Sequence, residues 1–272
     1  MTKSESRKFL STAEVLWNHK IGPEYFRMGL GRLGCFDAAA PGQFVMIRPQ
    51  SQAQPLLRRP FSIHNLVLNN QCVCGIEILY KVIGEGTQKL AECRPADRVD
   101  VLGPLGNSFS APPSSKSVTM AAGGIGVAPF VFLAETLMQQ GLDSAGVTVF
   151  LGGRTRTDIL CRDAFHRLGL SVRIATDDGS DGEKNLVTVP LEKAVRREKP
   201  DIIYACGPVP MLKAVMNIAE THQIRCEVSI ETMMACGMGA CLGCAVESGR
   251  TEKKYLHACI DGPVFAAEDI RL

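Results

Sequence analysis

The sequence predicts a multidomain β plus α/β protein. It consists of an N-terminal antiparallel β-barrel, a doubly wound parallel-sheet domain and a small C-terminal domain organised by cysteines. Three observations carry this. From about residue 11 to 109 short apolar runs are punctuated by Gly and Pro, as in "AEVLWNHKI", "GQFVMIRP", "FSIHNLVL" and "CGIEILYKVIG"; short strands with frequent turns suit a small closed barrel. From Val118 to about Ile224 apolar runs ("VTMAAG", "GVTVFLGG", "LSVRIATDD", "DIIYACGP") alternate with helical stretches ("APFVFLAETLMQQ", "DILCRDAFHRL", "PLEKAVRRE", "PMLKAVMNIAETH"), the pattern of a buried parallel sheet. From Arg225 onward apolar runs are few, and "CGMGACLGC" spans Cys236 to Cys244. The expected units are residues 10–109, 117–224 and 225–272, with "GTQKLAEC" as a helix inside the barrel and the polar, proline-rich "SAPPSSKS" as a linker. Residues before about Lys8 read as a mobile leader.

Length and composition narrow the class. The 272 residues are ample for a buried core, and 46% hydrophobic with 21% charged content fits a soluble globular protein. A net charge of +2 gives no global field for nucleic acid or an anionic membrane. The start has no apolar core or cleavage site of a signal peptide. The longest uncharged stretch, Ser117 to Ala134, holds three glycines and a proline, so it reads as strand, turn and helix rather than a span. The expected compartment is therefore the reducing cytoplasm, where clustered cysteines mean metal or redox chemistry more often than disulfides. The eleven cysteines are also an odd number.

Cys236, Cys241, Cys244 and Cys259 follow C-x4-C-x2-C-x14-C, the plant-type [2Fe–2S] spacing, in which each of two irons takes two protein sulfurs. Gly237, Gly239 and Gly243 suit a tight loop, with positive φ and backbone N–H groups close to sulfur. A structural zinc site with four cysteines is the alternative, although zinc ribbons present two C-x2-C pairs and here there is one. A tail of about 45 residues builds little core by itself, which independently favours a metal centre. The remaining cysteines, 35, 72, 74, 93, 161, 206 and 226, share no ligand spacing.

Four further motifs each admit a plain structural reading. In "AAGGIGVAP", Gly123, Gly124 and Gly126 with Pro129 form a strand-to-helix turn that could bring N–H groups to a diphosphate, or simply turn the chain. In "RRPFSIHN", Arg59 and Phe61 share a strand face, able to meet a diphosphate and stack on a flat ring, with Ser62 on the other face; an arginine-flanked edge strand is the alternative. In "GEGTQKL", Gly86 and Thr87 form a second anion turn or a threonine cap. In "ACGPVPML", Cys206, Gly207 and Pro208 end the last strand of the second unit, where such folds bind ligands, so that Cys206 faces the cleft or is a small buried thiol. His64, His166, His222 and His257 show no partnered spacing and read as structural or exposed; His19 falls in the first strand and is uninformative. No serine-hydrolase, H-E-x-x-H or paired-carboxylate signature stands out.

Taken in order, "RPFS", "GEGT", "GPLG", "GGIGVAP", "TDDGS" and "CGP" resemble the ferredoxin–NADP reductase superfamily over about residues 10 to 225. The tail, "ETMMACGMGACLGCAV" with "HACIDGPVF", is similar to the electron-transfer subunits of dihydroorotate dehydrogenase B. The resemblance implies FAD on the barrel, NAD on the α/β domain and one [2Fe–2S] cluster held by Cys236, Cys241, Cys244 and Cys259. It places Arg59 at the FAD diphosphate and Ser62 near the flavin's reactive nitrogen. Phe61 belongs to the same flavin motif. Gly86 and Thr87 form the second diphosphate turn, Gly124, Gly126 and Pro129 the nucleotide loop, and Cys206, Gly207 and Pro208 lie beside the nicotinamide. It also implies an FMN-containing dihydroorotate dehydrogenase catalytic subunit as partner, in a heterotetramer, with electrons running from dihydroorotate through cluster and FAD to NAD+. Met233, Met234 and Met238 are apolar candidates for that contact or for core packing. Partners of a sulfide dehydrogenase-, transhydrogenase- or hydrogenase-like complex remain open, as does a colourless zinc module. Two details depart from the pattern: Ala96 stands in "RPADRVD" where a glycine is expected, and Arg154 and Arg156 could hold a 2′-phosphate, which would admit NADPH.

Overall fold

The computed structural model describes residues 9–33, 36–50, 56–111, 115–249 and 253–272. Cys35, the leader and the middle of the linker lie outside them. Six strands close the barrel: β1 (Phe9–Lys20), β2 (Tyr25–Gly31), β3 (Phe44–Pro49), β4 (Arg59–Asn69), β5 (Cys72–Lys81) and, after helix α1 (Glu85–Ala91), β6 (Arg98–Leu105). Their order is β1-β2-β5-β4-β3-β6, every pair antiparallel. Alternation aims Ala13, Val15, Met28, Leu30, Val45, Ile47, Ile63, Ile76, Ile78, Val99 and Val101 into one buried cluster. The Asn18 amide donates to the Leu90 and Cys93 carbonyls, 3.0 Å each, and fastens the end of α1 to the barrel.

The second unit runs β7 (Val118–Gly123), α2 (Phe130–Gln139), β8 (Val147–Gly153), α3 (Arg162–Arg167), β9 (Ser171–Thr176), β10 (Glu183–Lys184), α4 (Thr188–Arg197), β11 (Ile202–Cys206), α5 (Val209–His222) and β12 (Arg225–Ser229). The tail adds β13 (Ala245–Ser248), β14 (Tyr255–His257), β15 (Val264–Ala266) and β16 (Ile270–Arg271). The main sheet is ordered β10-β9-β8-β7-β11-β12-β15. Its first six strands are parallel, and β15 closes the edge antiparallel to β12. β13, β14 and β16 form a separate three-stranded sheet.

Two results differ from the expectation of a serial chain of units. The start of the linker is pinned: Phe109 packs between Phe130 and Tyr204, with ring centroids 5.7 and 5.3 Å away, and the Tyr204 hydroxyl donates to the Ser110 carbonyl at 2.5 Å. The tail shares its core with both neighbours. Cys244, Val246, Ala258, Cys259, Phe265 and Ile270 join Phe44, Met46, Leu102 and Leu105 of the barrel in one cluster with the β11 and β12 face of the sheet. A short tail avoids the small-core problem by borrowing larger ones. Among the described residues, no helix is long and apolar enough to cross a membrane.

Candidate functional site: three linked cofactor sites

On β4, Arg59, Phe61 and Ser62 are all half-buried, and Ser62 stands opposite Phe44 of β3. Phe61 meets the Tyr80 ring edge-on at 5.8 Å. The Arg59 guanidinium lies against Gly86, where an added Cβ would fall 2.7 Å from its Nε. Two motifs far apart in sequence therefore meet, the cation of one above the free N–H groups at the start of α1. That is what a diphosphate requires. Thr87 is neither the N-cap nor a free hydroxyl. Gly84 is the N-cap, and Thr87 Oγ1 accepts from Ile83 and Gly84 N–H at 2.9 and 3.2 Å and donates to the Gly84 carbonyl at 2.9 Å. The hydroxyl shapes the turn, leaving backbone donors to face an anion.

The second site lies where strand order reverses, between β7 and β11, the position at which open α/β sheets bind ligands. Gly124 has φ +54° with open space where a side chain would stand. Gly126 is pressed against the other strand end, since an added Cβ would collide with the Cys206 carbonyl. Gly123 and Gly207 pack on each other and on Pro208 and Met211. Pro129 is the N-cap of α2, where its missing N–H costs nothing. Cys206 ends β11 with a thiol only 3% exposed. Burial and, next, the Glu231 carboxylate push it up to about 12 against a hydrogen bond with Ser229. It is thus a neutral, inert thiol, and its backbone is what meets the glycine loop.

The third site is the cysteine loop, where the sulfurs stand in two pairs. Met238 and Cys241 N–H donate to Cys236 Sγ, 3.4 Å each, and the Cys241 side chain also hydrogen-bonds it. Burial alone would raise the Cys236 thiol, but these donors outweigh it and bring it down to about 6. Cys244 and Cys259 are buried with sulfurs 3.2 Å apart. Burial and the Cys244 neighbour push the Cys259 thiol up, so a cation is needed to bring Cys259 to the thiolate form. The two sulfur pairs, one fed by N–H donors, together supply the four thiol ligands that a dinuclear cluster takes. Gly237 and Gly239 take positive φ of 69° and 86°. Gly243 does not; the left-handed residue is Leu242, φ 58°. A Cβ on Gly243 would sit 3.6 Å from Cys241 Sγ, an ordinary contact, so this glycine is required neither by the turn nor by crowding.

The loop lies against the barrel. A Cβ on Gly237 would fall 2.5 Å from Met46 Cγ on β3, and Asn107 N–H and Nδ2 donate to the Gly262 and Asp261 carbonyls at 2.6 Å each. β3 pairs with β4, which bears Arg59, Phe61 and Ser62. Around the loop Met233, Met238, Leu242 and Ile260 are 90%, 44%, 58% and 45% exposed. Met234, grouped with the first two from sequence, instead packs on the core.

A flavin motif on a barrel, a glycine loop at a sheet's switch point and a four-cysteine loop define the class: a nicotinamide-linked flavin and iron–sulfur oxidoreductase module. Residues 231–271 match the iron-sulfur cluster binding domain of dihydroorotate dehydrogenase B, and residues 120–217 the oxidoreductase NAD-binding domain. The chain is 40% identical over 254 residues to a dihydroorotate dehydrogenase B (NAD(+)), electron transfer subunit, of Desulforamulus reducens, spanning 93% of this chain and 95% of that one. It is 38% identical to the like-named subunit of Caldanaerobacter subterraneus subsp. tengcongensis over 95% and 97%. A solved NADH-dependent reduced ferredoxin-NADP oxidoreductase, studied for flavin-based electron bifurcation, superposes with TM-score 0.80 at 27% identity, covering 95% of this chain and 89% of that one. This chain belongs to the family of dihydroorotate dehydrogenase B electron transfer subunits.

Proposed function

We propose that the chain carries electrons from a partner FMN-containing dihydroorotate dehydrogenase subunit to NAD+, in pyrimidine biosynthesis, as half of a cytoplasmic heterotetramer. One observation carries the order of the relay: the cysteine loop rests on β3, whose neighbour β4 holds the flavin motif. When bound, FAD exchanges a hydride with nicotinamide and single electrons with the [2Fe–2S] cluster.

The chain's own residues hold that order. Arg59 and the N–H groups of Gly86 and Thr87 bind the FAD diphosphate. Phe61 would pack against the flavin, and Ser62 would offer it a hydroxyl. Gly124 and Gly126 admit the dinucleotide backbone, and Pro129 starts the helix behind it. Cys206, Gly207 and Pro208 form a small, neutral wall for the nicotinamide. Cys236, Cys241, Cys244 and Cys259 hold the cluster, and Met233, Met238, Leu242 and Ile260 dock the partner around it. Arg154 and Arg156 share their corner with Asp177 and Asp178: Asp178 N–H donates to the Arg154 carbonyl at 3.2 Å, Asp177 N–H to the Gly153 carbonyl at 3.1 Å, and Ser180 Oγ, which accepts from Arg156 N–H at 2.7 Å, donates to Asp178 Oδ1 at 2.6 Å. These carboxylates favour ribose hydroxyls over a 2′-phosphate, hence NAD over NADP. The likeness to the ferredoxin-NADP oxidoreductase supports a second reading, with the same module serving a different partner.

The deciding experiment is dihydroorotate-dependent NAD+ reduction by the anaerobically purified chain mixed with the FMN-type subunit of the same source, each omitted in turn. NADH formation only with both supports the reading. A coloured chain that NADH bleaches, but that gives no activity with that subunit, leaves the module and removes the pyrimidine partner. Cys241→Ser is expected to abolish the coupled reaction while FAD reduction by NADH stays within about twofold of wild type; equal loss of both would contradict the relay order.

A further inference from the structure

We propose that His64 is a positioning residue that holds the flavin strand in register with the nucleotide loop. The proposal rests on the flavin and nucleotide sites proposed for β4 and the β7–α2 turn. His64 lies two residues beyond Ser62 and is 4% exposed. The pairing of β4 with β5 slips between Ile63, opposite Ile78, and Asn65, opposite Glu77, which leaves His64 as the extra residue of a β-bulge. Bulges re-aim a side chain at the cost of a regular ladder. Here the bulge turns His64 toward the nucleotide domain, where Nδ1 lies 2.5 Å from the Ala128 carbonyl. A carbonyl only accepts, so Nδ1 carries the proton.

Ala128 sits within the loop itself, between Gly126 and Pro129. Glu77 Oε1 lies 3.6 Å from Nε2 and is engaged by Arg27 Nε at 3.2 Å. Burial holds the imidazole down at about 4, so it is a neutral donor. The next residue adds a second tie, Asn65 Nδ2 to Glu135 Oε2 at 3.0 Å, but that one reaches α2 beyond the loop. His64 thus bonds the strand under the flavin directly to the glycine loop that holds the nucleotide, and so fixes the distance between flavin and nucleotide sites. Hydride transfer needs reacting atoms about 3–3.5 Å apart, and a shift of about 1 Å costs on the order of a hundredfold.

The test uses the holo chain, with FAD and iron content measured, in stopped-flow reduction by NADH. His64→Leu removes the donor, while His64→Asn places an amide N–H near the position of Nδ1. The expected result is at least tenfold slower reduction in the leucine variant at saturating NADH, with little change in the NADH concentration giving half-maximal rate. The long-wavelength nicotinamide–flavin absorbance should fade with it. The asparagine variant should recover both. A leucine variant as fast as wild type overturns the proposal, as do leucine and asparagine variants slowed equally, which would mean that volume alone matters. If the leucine variant holds no FAD, His64→Gln replaces it: slower than Asn supports the role, and equal rates refute it. A wild-type chain that NADH does not reduce would sink the site reading and this inference together, whereas a reducible wild type with indifferent variants sinks only the latter.

Discussion

Ala96 sits at φ +74°, in the left-handed region, and donates its N–H to the Val15 carbonyl at 2.9 Å. A side chain there costs about 1–2 kcal/mol, which is why a glycine is expected in "RPADRVD". Ala96→Gly should stabilise the chain by a few tenths to about 1 kcal/mol, after the looser unfolded chain offsets part of the gain; a lowered melting temperature would contradict this. Single residues were unevenly legible. The cysteines proposed for the cluster stand out by spacing, because ligand chemistry dictates it. His64 does not, since its role depends on a bulge and on a carbonyl 64 residues away. Leu242 taking the left-handed turn in place of Gly243 was equally hidden, because a loop can place its strain on either of two neighbours.

At the level of elements, the glycine loop and the end of β11 fit with no slack. Gly126→Ala must push the two backbones apart, because its Cβ meets the Cys206 carbonyl and not a movable side chain. The NADH concentration for half-maximal reduction should rise at least about tenfold, an apparent loss of about 1.4 kcal/mol, with FAD content unchanged; unaltered NADH kinetics would show that this contact does not shape the site. Strands β7, β8, β9 and β11 were readable as apolar runs because both faces of a parallel sheet are buried. β2 and β6 were harder to pick out: Gly29 and Gly31 in one, Gly103 and Pro104 in the other, dilute the alternation. β15 has three residues and owes its place to the neighbouring β12 edge, not to its own pattern.

Across the whole molecule, barrel and nucleotide unit are also latched through Tyr25 on β2. The Tyr25 hydroxyl donates to Asp158 Oδ1 at 2.6 Å, and Asp158 also accepts from Arg154 N–H at 3.1 Å and lies 4.0 Å from Lys81 Nζ. Burial raises the Asp158 carboxyl, but these donors and Lys81 hold it below the usual carboxylate range. A depressed carboxylate stabilises the fold above its unfolded value, about 3.9, and loses that contribution as pH falls through the folded value. Tyr25→Phe should therefore cost about 1–3 kcal/mol at neutral pH. The gap to wild type should narrow as the pH is taken below about 4; a gap constant with pH would exclude Asp158 as the cause. Since the latch joins β2 to the loop after β8, no local sequence pattern announces it.

The tail's strands β12 and β15 belong to the main sheet, with the cysteine loop strung between them. For protein engineering this makes the iron–sulfur unit a poor candidate for transplantation by cutting at residue 224. The donor would be left with β11 as a bare, sticky rim, and the recipient would receive β12 and β15 with no β11 edge for β12 to pair with. A functional graft has to carry both strands and a matching edge to receive them.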